Sequence, residues 1–191
     1  ENTKPAYEAA FDMVNFAECD IQQTTDGAII LVHDVTLARV AQILPSSELG
    51  LSPTQAFTIE HCEKAFQFTG IDASRRSAYE ASLSELDRGQ FQSLCSALES
   101  LEEGNASMEL SSEASEFAKC VKSLDAKSRL VDSDYQALPP QERHQVEAYL
   151  ANLPVMEMTF EQTQRVPLKR GATVPTLSEI LDVVLEHPSS D

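Results

Sequence analysis

Two carboxylates and an imidazole near the start of the chain have types and a spacing that suit metal-assisted acid–base chemistry. Glu18 and Asp20 are separated by one residue, and His33 follows at a short distance along the chain. Carboxylate oxygens are the ligands that hard divalent cations prefer. An imidazole takes up or releases a proton near neutral pH. These three residues can act together only if the fold brings them to one patch.

A predicted β-hairpin supplies that arrangement. Two runs of β-forming residues flank the pair Asp26-Gly27, which is the strongest short-range hairpin signal in a sequence. If Asp26 and Gly27 are the two loop residues, His33 lies directly opposite Asp20. Glu18 then shares a face with Asp20, because side chains alternate along a strand. A three-residue turn would shift the register by one and move His33 to the other face.

The second β-rich run, 28–32, indicates that this hairpin is buried. It contains four consecutive apolar residues from Ile29 to Val32, which is typical of a strand covered on both faces, as in parallel α/β sheets. From its spacing alone, the Glu-x-Asp pattern is also compatible with a solvated strand face. A covered strand should not end in charges without a use for them, so the burial pattern favours a site.

Five motifs in the same order resemble those of the glycerophosphodiester phosphodiesterases. They are Glu1-Asn2-Thr3, Glu18-x-Asp20, Thr25-Asp26-Gly27, His33-Asp34-x-Thr36-Leu37-x-Arg39 and Val174-Pro175-Thr176-Leu177-x-Glu179. The resemblance implies an α/β fold that is a portion of a TIM-type (β/α)8 barrel of the phosphodiesterase and phospholipase C-like kind. We expect a first barrel portion over residues 1–39, a large α-helical insertion over 40–155, and a return to the barrel over 156–191.

The resemblance also implies a function. A phosphoric diester hydrolase of this family converts a glycerophosphodiester and water into an alcohol and glycerol 3-phosphate, in lipid metabolism. Residues matching Glu18 and Asp20 hold a divalent metal, Ca²⁺ or Mg²⁺, together with a further Glu. The residue matching His33 shares acid–base catalysis with the His of a His-Arg-Gly segment. Neither that segment nor the further strand occurs in this sequence, so we expect the chain to be a fragment that is inactive by itself.

Two other functions stay open from the sequence. One is a related phospholipase-type phosphodiesterase that acts on phosphoinositides or sphingolipids. The other is a catalytically dead barrel relative that binds a protein partner through the acidic helical insertion. A His-Arg-Gly segment shortly before Glu1 would favour the active enzyme. In either case, we expect the helices from about Leu44 to Leu153 to form a cap beside the site that contributes no ligand or acid–base group.

Composition restricts the partners. The net charge is −17, from 31 acidic and 14 basic residues, which disfavours nucleic acid and anionic membrane surfaces. No apolar run approaches the roughly 18 residues needed to span a bilayer. The predicted partner is therefore a small glycerophosphodiester substrate, and a protein that binds the insertion is the alternative, with no nucleic acid and no transmembrane segment.

Apolar periodicity predicts helices over most of the remaining chain. The first expected helix follows a cap at Asn2 or Thr3, and the second begins at Ser52-Pro53. Further helices are expected over about 73–103, 113–130, 141–153 and 156–165. Thr176 is the expected cap of the last helix. Predicted helix ends are Gly104-Asn105 and His187-Pro188. The predicted inward residues of the first helix are Ala6, Ala9, Ala10, Met13 and Val14, and those of the last are Leu177, Ile180, Leu181, Val184 and Leu185.

Four further groups have a structural interpretation beside a functional one. Cys19, Cys62, Cys95 and Cys120 are interpreted as buried thiols, with two disulfides as the alternative. His61 and His144 are expected to be exposed or edge histidines. The acidic residues Glu99, Glu102, Glu103, Glu109, Glu113 and Glu116 are expected to form a solvated helix face. The basic cluster Arg165, Lys169 and Arg170 is interpreted as a surface loop, although it could steer a phosphate.

Overall fold

The computed structural model describes residues 2–14, 16–45, 47–68, 73–102 and 110–186. Its elements are α1 (Lys4–Phe11), β1 (Ile21–Gln23), β2 (Ile29–Leu31), α2 (Pro53–Phe68), α3 (Ala73–Ser82), α4 (Glu85–Glu102), α5 (Ser112–Ser128), α6 (Asp132–Ala137), α7 (Pro140–Ala151), α8 (Phe160–Gln164) and α9 (Leu177–Glu186). Short 3-10 helices lie at Val155–Glu157 and Lys169–Gly171. The described chain is thus α/β and mostly helical.

Contacts divide the chain into two compact units. Unit 1 is Glu1–Ile43 with Pro154–Asp191, and unit 2 is Leu44–Leu153. The predictions that concern Glu1, Glu103, Gly104-Asn105, Glu109 and His187-Pro188 lie outside the described residues.

The hairpin of unit 1 forms, but its register differs from the predicted one by one residue. Strands β1 and β2 pair antiparallel, with Gln22 opposite Ile30. One step further, the backbone N–H of Val32 donates to the carbonyl oxygen of Asp20 at 3.1 Å. Val32 therefore lies opposite Asp20, and the prediction that places His33 there is wrong.

The turn explains the shift. Gly27 has a φ of 85°, whereas Asp26 is not among the described residues with positive φ. A two-residue type I′ turn needs positive φ at both central positions. The chain instead forms a three-residue loop from Thr25 to Gly27, which Thr24 closes by donating its N–H to the Ala28 carbonyl at 3.0 Å. A left-handed third residue is typical of such loops.

We expect Gly27→Ala to destabilise the protein by about 1–2 kcal/mol, the cost of a left-handed conformation for a residue with a Cβ. The added Cβ would meet only Gln23 Nε2 at 3.7 Å, so the cost is conformational and not steric. Gly89→Ala in α4 is the matched control, since its Cβ would meet nothing within 4 Å. That change should stabilise by about 0.5–1 kcal/mol. Urea unfolding measures both, and effects of the same sign would contradict the turn assignment.

The predicted burial of β2 is confirmed. Ile30, Leu31 and Val32 are all buried. On the edge away from β1, Leu31 donates its N–H to the Pro175 carbonyl at 3.0 Å, and Ile30 forms an antiparallel bridge with Thr176. A small core joins β2 to α1 and α9, and its buried members are Tyr7, Leu31, Ile180 and Val183.

The inward faces of α1 and α9 differ from the predicted stripes. In α1 the buried residue is Tyr7, while Met13 and Val14 lie beyond the helix end and are exposed. In α9 the buried residues are Ile180 and Val183, while three predicted core residues are exposed: Leu181, Val184 and Leu185. The five residues predicted to face inward in the last helix, taken together with Val183, fit two overlapping apolar stripes. Helical periodicity alone does not show which of the two stripes is buried.

The two sequence segments that form unit 1, one before unit 2 and one after it, pair with each other. Ala41 forms an antiparallel bridge with Leu168. The N–H of Val155 donates to the carbonyl of Val35 at 2.8 Å. The segments that lead into and out of unit 2 are therefore paired within unit 1 itself.

One buried cluster of unit 2 is formed by α2, α4 and α5. Its largest buried members are Phe57, Phe91, Leu94, Leu98, Phe117 and Val121. The single helix predicted over 73–103 is wrong, because α3 and α4 are separate helices. Ser84 caps the start of α4, where its Oγ accepts the N–H of Asp87 at 3.1 Å.

In the part of the chain that the structure describes, none of the helices combines the length and the apolar composition of a membrane span.

The cysteines and His61 belong to the packing of their units, with one exception. All four cysteines are free; Cys62 and Cys95 are buried, and burial raises the pKa of each thiol to about 12. Cys19 is exposed, so its predicted burial is wrong. The Nδ1 of His61 lies 3.0 Å from the Tyr79 hydroxyl beside an aromatic cluster, and the residue is half-buried, which agrees with the predicted edge position. Burial lowers the pKa of this imidazole.

The predicted charged surfaces contain specific contacts. Glu99 of the acidic group forms an ion pair with Arg76 at 2.8 Å. In the basic group, the side chain of Arg165 is 6% exposed and pairs with Glu161. The Nζ of Lys169 donates to the carbonyl of Arg39 at 2.6 Å. These ion pairs and this hydrogen bond have a structural role.

Candidate functional site

Glu18, Asp20 and His33 line one cavity of about 220 Å³ in unit 1. The chain therefore places all three predicted site residues around one space despite the shifted register. His33 lies two residues beyond the end of β2 at Leu31. The alternation of side chains along a strand no longer applies there, so the register shift does not remove His33 from the site. Asn2 and Tyr7 also line this cavity.

The two carboxylates lie beside a short hydrogen-bonded chain from α1. Asn2 donates from Nδ2 to Asp20 Oδ2 at 3.2 Å. The Tyr7 hydroxyl lies 2.8 Å from Asn2 Oδ1 and 3.2 Å from the carbonyl oxygen of Glu18. Burial, followed by the negative charges of Cys19, Glu18 and Asp20, raises the pKa of Tyr7 to about 12. Tyr7 therefore stays protonated and acts as a hydrogen-bond donor.

His33 is held by its neighbour in sequence. Its Nδ1 lies 2.6 Å from Asp34 Oδ1, and Arg39 donates from Nε to the other Asp34 oxygen. Hydrogen bonds from Arg39 and His33 hold the pKa of Asp34 below its ordinary range. An ionised carboxylate only accepts hydrogen bonds, so Nδ1 carries the hydrogen. In the neutral ring, Nε2 is then the basic nitrogen.

The turn of the hairpin is fixed to α8. Asp26 accepts from the Thr24 hydroxyl, and its Oδ1 also accepts the backbone N–H of Phe160 at 3.0 Å. The Thr24 hydrogen bond is the main reason that the pKa of Asp26 is lowered. Thr25 donates its N–H to the carbonyl of Met158 at 2.8 Å. Both strands that lead to the cavity are thereby anchored at their connected end.

The donor set suits a hard divalent cation. Glu18 and Asp20, whose carboxylates supply oxygen ligands, both line the cavity. Within the described ranges, no group of three or more His, Cys, Asp or Glu residues is placed to hold a metal ion. Mg²⁺ is commonly bound through one or two carboxylates, with waters and substrate phosphate oxygens completing the shell. The two carboxylates therefore fit a part of such a shell.

Three residues of this site were not predicted from the sequence: Asn2, Tyr7 and Asp34. Asn2 was interpreted as a possible helix cap, but the N-cap of α1 is Thr3. Tyr7 was left out of the predicted apolar face, although its spacing from Thr3 and Phe11 is helical. That i, i+4 spacing was the available signal, whereas nothing in the sequence indicates the bond between His33 and Asp34.

The chain was compared with known protein families. The sequence model of the Glycerophosphoryl diester phosphodiesterase family matches residues 1–189. This range includes the site residues, all of unit 2 and all but the last two residues of unit 1. No curated protein and no solved structure matches the chain.

Proposed function

The chain belongs to the glycerophosphoryl diester phosphodiesterase family, and from this premise we propose that the full-length protein hydrolyses a glycerophosphodiester to an alcohol and glycerol 3-phosphate. The family supports phosphodiesterase activity on glycerophosphodiesters in general. The observation that supports a particular site is that Glu18, Asp20 and His33 line the same cavity.

Glu18 and Asp20 are the proposed ligands of Ca²⁺ or Mg²⁺. Members of the family often use divalent metals, and the two carboxylates have the hard oxygens that these ions prefer. A bound cation would neutralise charge on the phosphodiester and lower the pKa of an adjacent hydroxyl. The contact from Asn2 reaches Oδ2 of Asp20, and an ionised carboxylate has acceptor capacity on both oxygens. Hydrogen bonding and cation binding by Asp20 are therefore compatible.

His33 is the proposed acid–base residue. Asp34 holds its Nδ1–H at 2.6 Å, which makes Nε2 the atom that exchanges a proton. In the proposed first step the substrate's own glycerol hydroxyl attacks the phosphorus and expels the alcohol, which leaves a cyclic phosphate that water then opens to glycerol 3-phosphate. The neutral ring takes the proton of the attacking hydroxyl, or the charged ring gives a proton to the leaving alcohol. Asp34 orients the ring and stabilises its charged form, as the carboxylate does in other His–carboxylate pairs.

The two units have different proposed roles. The family is of the TIM-barrel type, and the paired strands β1 and β2 of unit 1 are the proposed barrel portion that carries the site. Unit 2 is the proposed helical insertion. It would affect substrate access or partner binding and would supply neither a ligand nor an acid–base group.

A turnover assay tests the proposed function. The full-length protein should release glycerol 3-phosphate from glycerophosphocholine or another small glycerophosphodiester. Chelation with EDTA should stop release, and added Ca²⁺ or Mg²⁺ should restore it. A folded protein that releases no glycerol 3-phosphate from any of several head groups with either cation would overturn the proposal.

A second arm of this assay tests the role of unit 2. In this arm, residues 44–153 are replaced by a Gly/Ser linker. We expect retained turnover with a changed preference among head groups. Complete loss of activity, in a variant that still folds and binds the cation, would show that unit 2 carries catalytic residues.

A further inference from the structure

The hydrogen-bonded chain from Tyr7 through Asn2 to Asp20 ends on a proposed metal ligand. We infer that Tyr7 and Asn2 are positioning residues, which hold the Asp20 carboxylate in the orientation that binds the cation. This inference rests on the proposed function, because it assigns a role toward the same site. Neither residue is proposed to touch the substrate or the cation.

The directions of the hydrogen bonds follow from the chemistry of the groups. A tyrosine hydroxyl has one hydrogen to donate, and the shorter contact of Tyr7, 2.8 Å, is to Asn2 Oδ1. The amide of Asn2 is then oriented with its NH₂ group toward Asp20, where Nδ2 donates to Oδ2 at 3.2 Å. Each bond selects the geometry of the next, so the Tyr7 hydroxyl acts on Asp20 through Asn2.

The backbone at Asn2 is held in an uncommon conformation. Its φ is 51°, and among the described residues Arg170 is the other non-glycine residue with a positive φ. This left-handed region costs most residues about 1–2 kcal/mol, and Asn tolerates it better than most. Such conformations persist where the surroundings fix them, and they cluster at functional sites. At Asn2 the fixing contacts include both hydrogen bonds of its side chain.

The Tyr7 hydroxyl is not needed for packing. The ring is 6% exposed and belongs to the small core with Leu31, Ile180 and Val183. A phenylalanine ring would fill the same space. The hydroxyl stands at the edge of this core, where it reaches the cavity wall and the backbone of Glu18 at 3.2 Å. It therefore connects the packing of α1 against β2 and α9 to the orientation of the Asp20 carboxylate.

Calorimetric titration of the full-length protein with Ca²⁺ tests the inference, with turnover of glycerophosphocholine as the second measurement. Loss of a residue that orients a metal ligand typically costs about 10–100-fold in metal affinity. We expect Tyr7→Phe to weaken Ca²⁺ binding by about 10-fold and Asn2→Ala by at least as much. The Ca²⁺ concentration that gives half-maximal turnover should rise by a similar factor. Tyr79→Phe is the matched control, since it removes a tyrosine hydroxyl that bonds His61 in unit 2 at 3.0 Å, and it should leave Ca²⁺ affinity unchanged.

The outcomes separate the inference from the function on which it rests. If the wild-type protein binds Ca²⁺ and turns over substrate, but both Tyr7→Phe and Asn2→Ala bind Ca²⁺ as tightly as wild type, the positioning role is wrong and the proposed function stands. If the wild-type protein neither binds Ca²⁺ nor turns over substrate, both are overturned. Thermal unfolding of each variant is measured in parallel. Weakened binding that merely follows a large loss of stability in both variants would also overturn the positioning role.

Discussion

Replacing His33 by alanine is expected to lower turnover of a glycerophosphodiester by roughly 100-fold or more, the usual scale for loss of a general acid or base. The melting temperature should change little, because the side chain is 57% exposed and forms an ion pair with Asp34, its neighbour in sequence. Substitutions at exposed positions usually change stability by no more than about 0.5 kcal/mol. Steady-state kinetics and thermal unfolding measure the two quantities on the same preparation.

His144→Ala is the control for this experiment. His144 lies in α7 of unit 2, whereas the residues that line the cavity belong to unit 1. Its loss should leave turnover within about twofold, since no acid–base role is proposed for it. A large loss of stability with a modest loss of activity in His33→Ala would reassign His33 to structure.

Asp20→Ala should abolish the response of turnover to Ca²⁺ or Mg²⁺ over the concentrations that saturate the wild-type protein. Residues that only support a ligand contribute about 10–100-fold to metal affinity, so loss of a ligand itself should cost at least that factor. A titration of turnover against each cation, after removal of bound metal with EDTA, measures the response. The contact that the substitution also removes is the hydrogen bond from Asn2 at 3.2 Å.

Asp182→Ala tests whether the effect of Asp20→Ala is specific. Asp182 is an exposed carboxylate of α9 in the same unit and is not among the residues that line the cavity. Its substitution changes the net charge by the same amount and should leave the cation dependence intact. An unchanged cation dependence in Asp20→Ala would show that Asp20 is not a ligand.

Local signals in the sequence predicted the elements best where a side chain bonds its own backbone. Thr176 and Glu179 form the predicted capping box of α9, with Thr176 N–H donating to Glu179 at 2.7 Å. Ser52 likewise caps α2. By contrast, the break between α3 and α4 was missed, because the apolar stripe continues across it. The cap at Ser84 was the signal that should have outweighed the stripe.

The arrangement of the site depended on a feature that the sequence leaves ambiguous. The pair Asp26-Gly27 fits both a two-residue and a three-residue turn. The backbone at Asp26, which is not among the described residues with positive φ, decides for the three-residue turn. The predicted pairing of His33 with Asp20 was wrong for this reason. Glu18, Asp20 and His33 nevertheless line one cavity, because the order of strand, turn and strand fixes their approximate place. Contacts from a separate helix, such as that of Tyr7, depend on packing that periodicity does not specify.

The bridge between Ala41 and Leu168 has a consequence for how the chain folds. Forming this bridge closes a loop that contains all of unit 2. The free-energy cost of closing a flexible loop grows by about 0.6 kcal/mol for each doubling of its length. Unit 2 has its own core around Phe91 and Phe117. Once that core has formed, the ends of unit 2 are no longer joined by a flexible chain, and the effective loop becomes much shorter. We therefore expect the helices of unit 2 to gain amide protection before the bridge does in pulsed hydrogen exchange, and the reverse order would show that unit 1 assembles without this help.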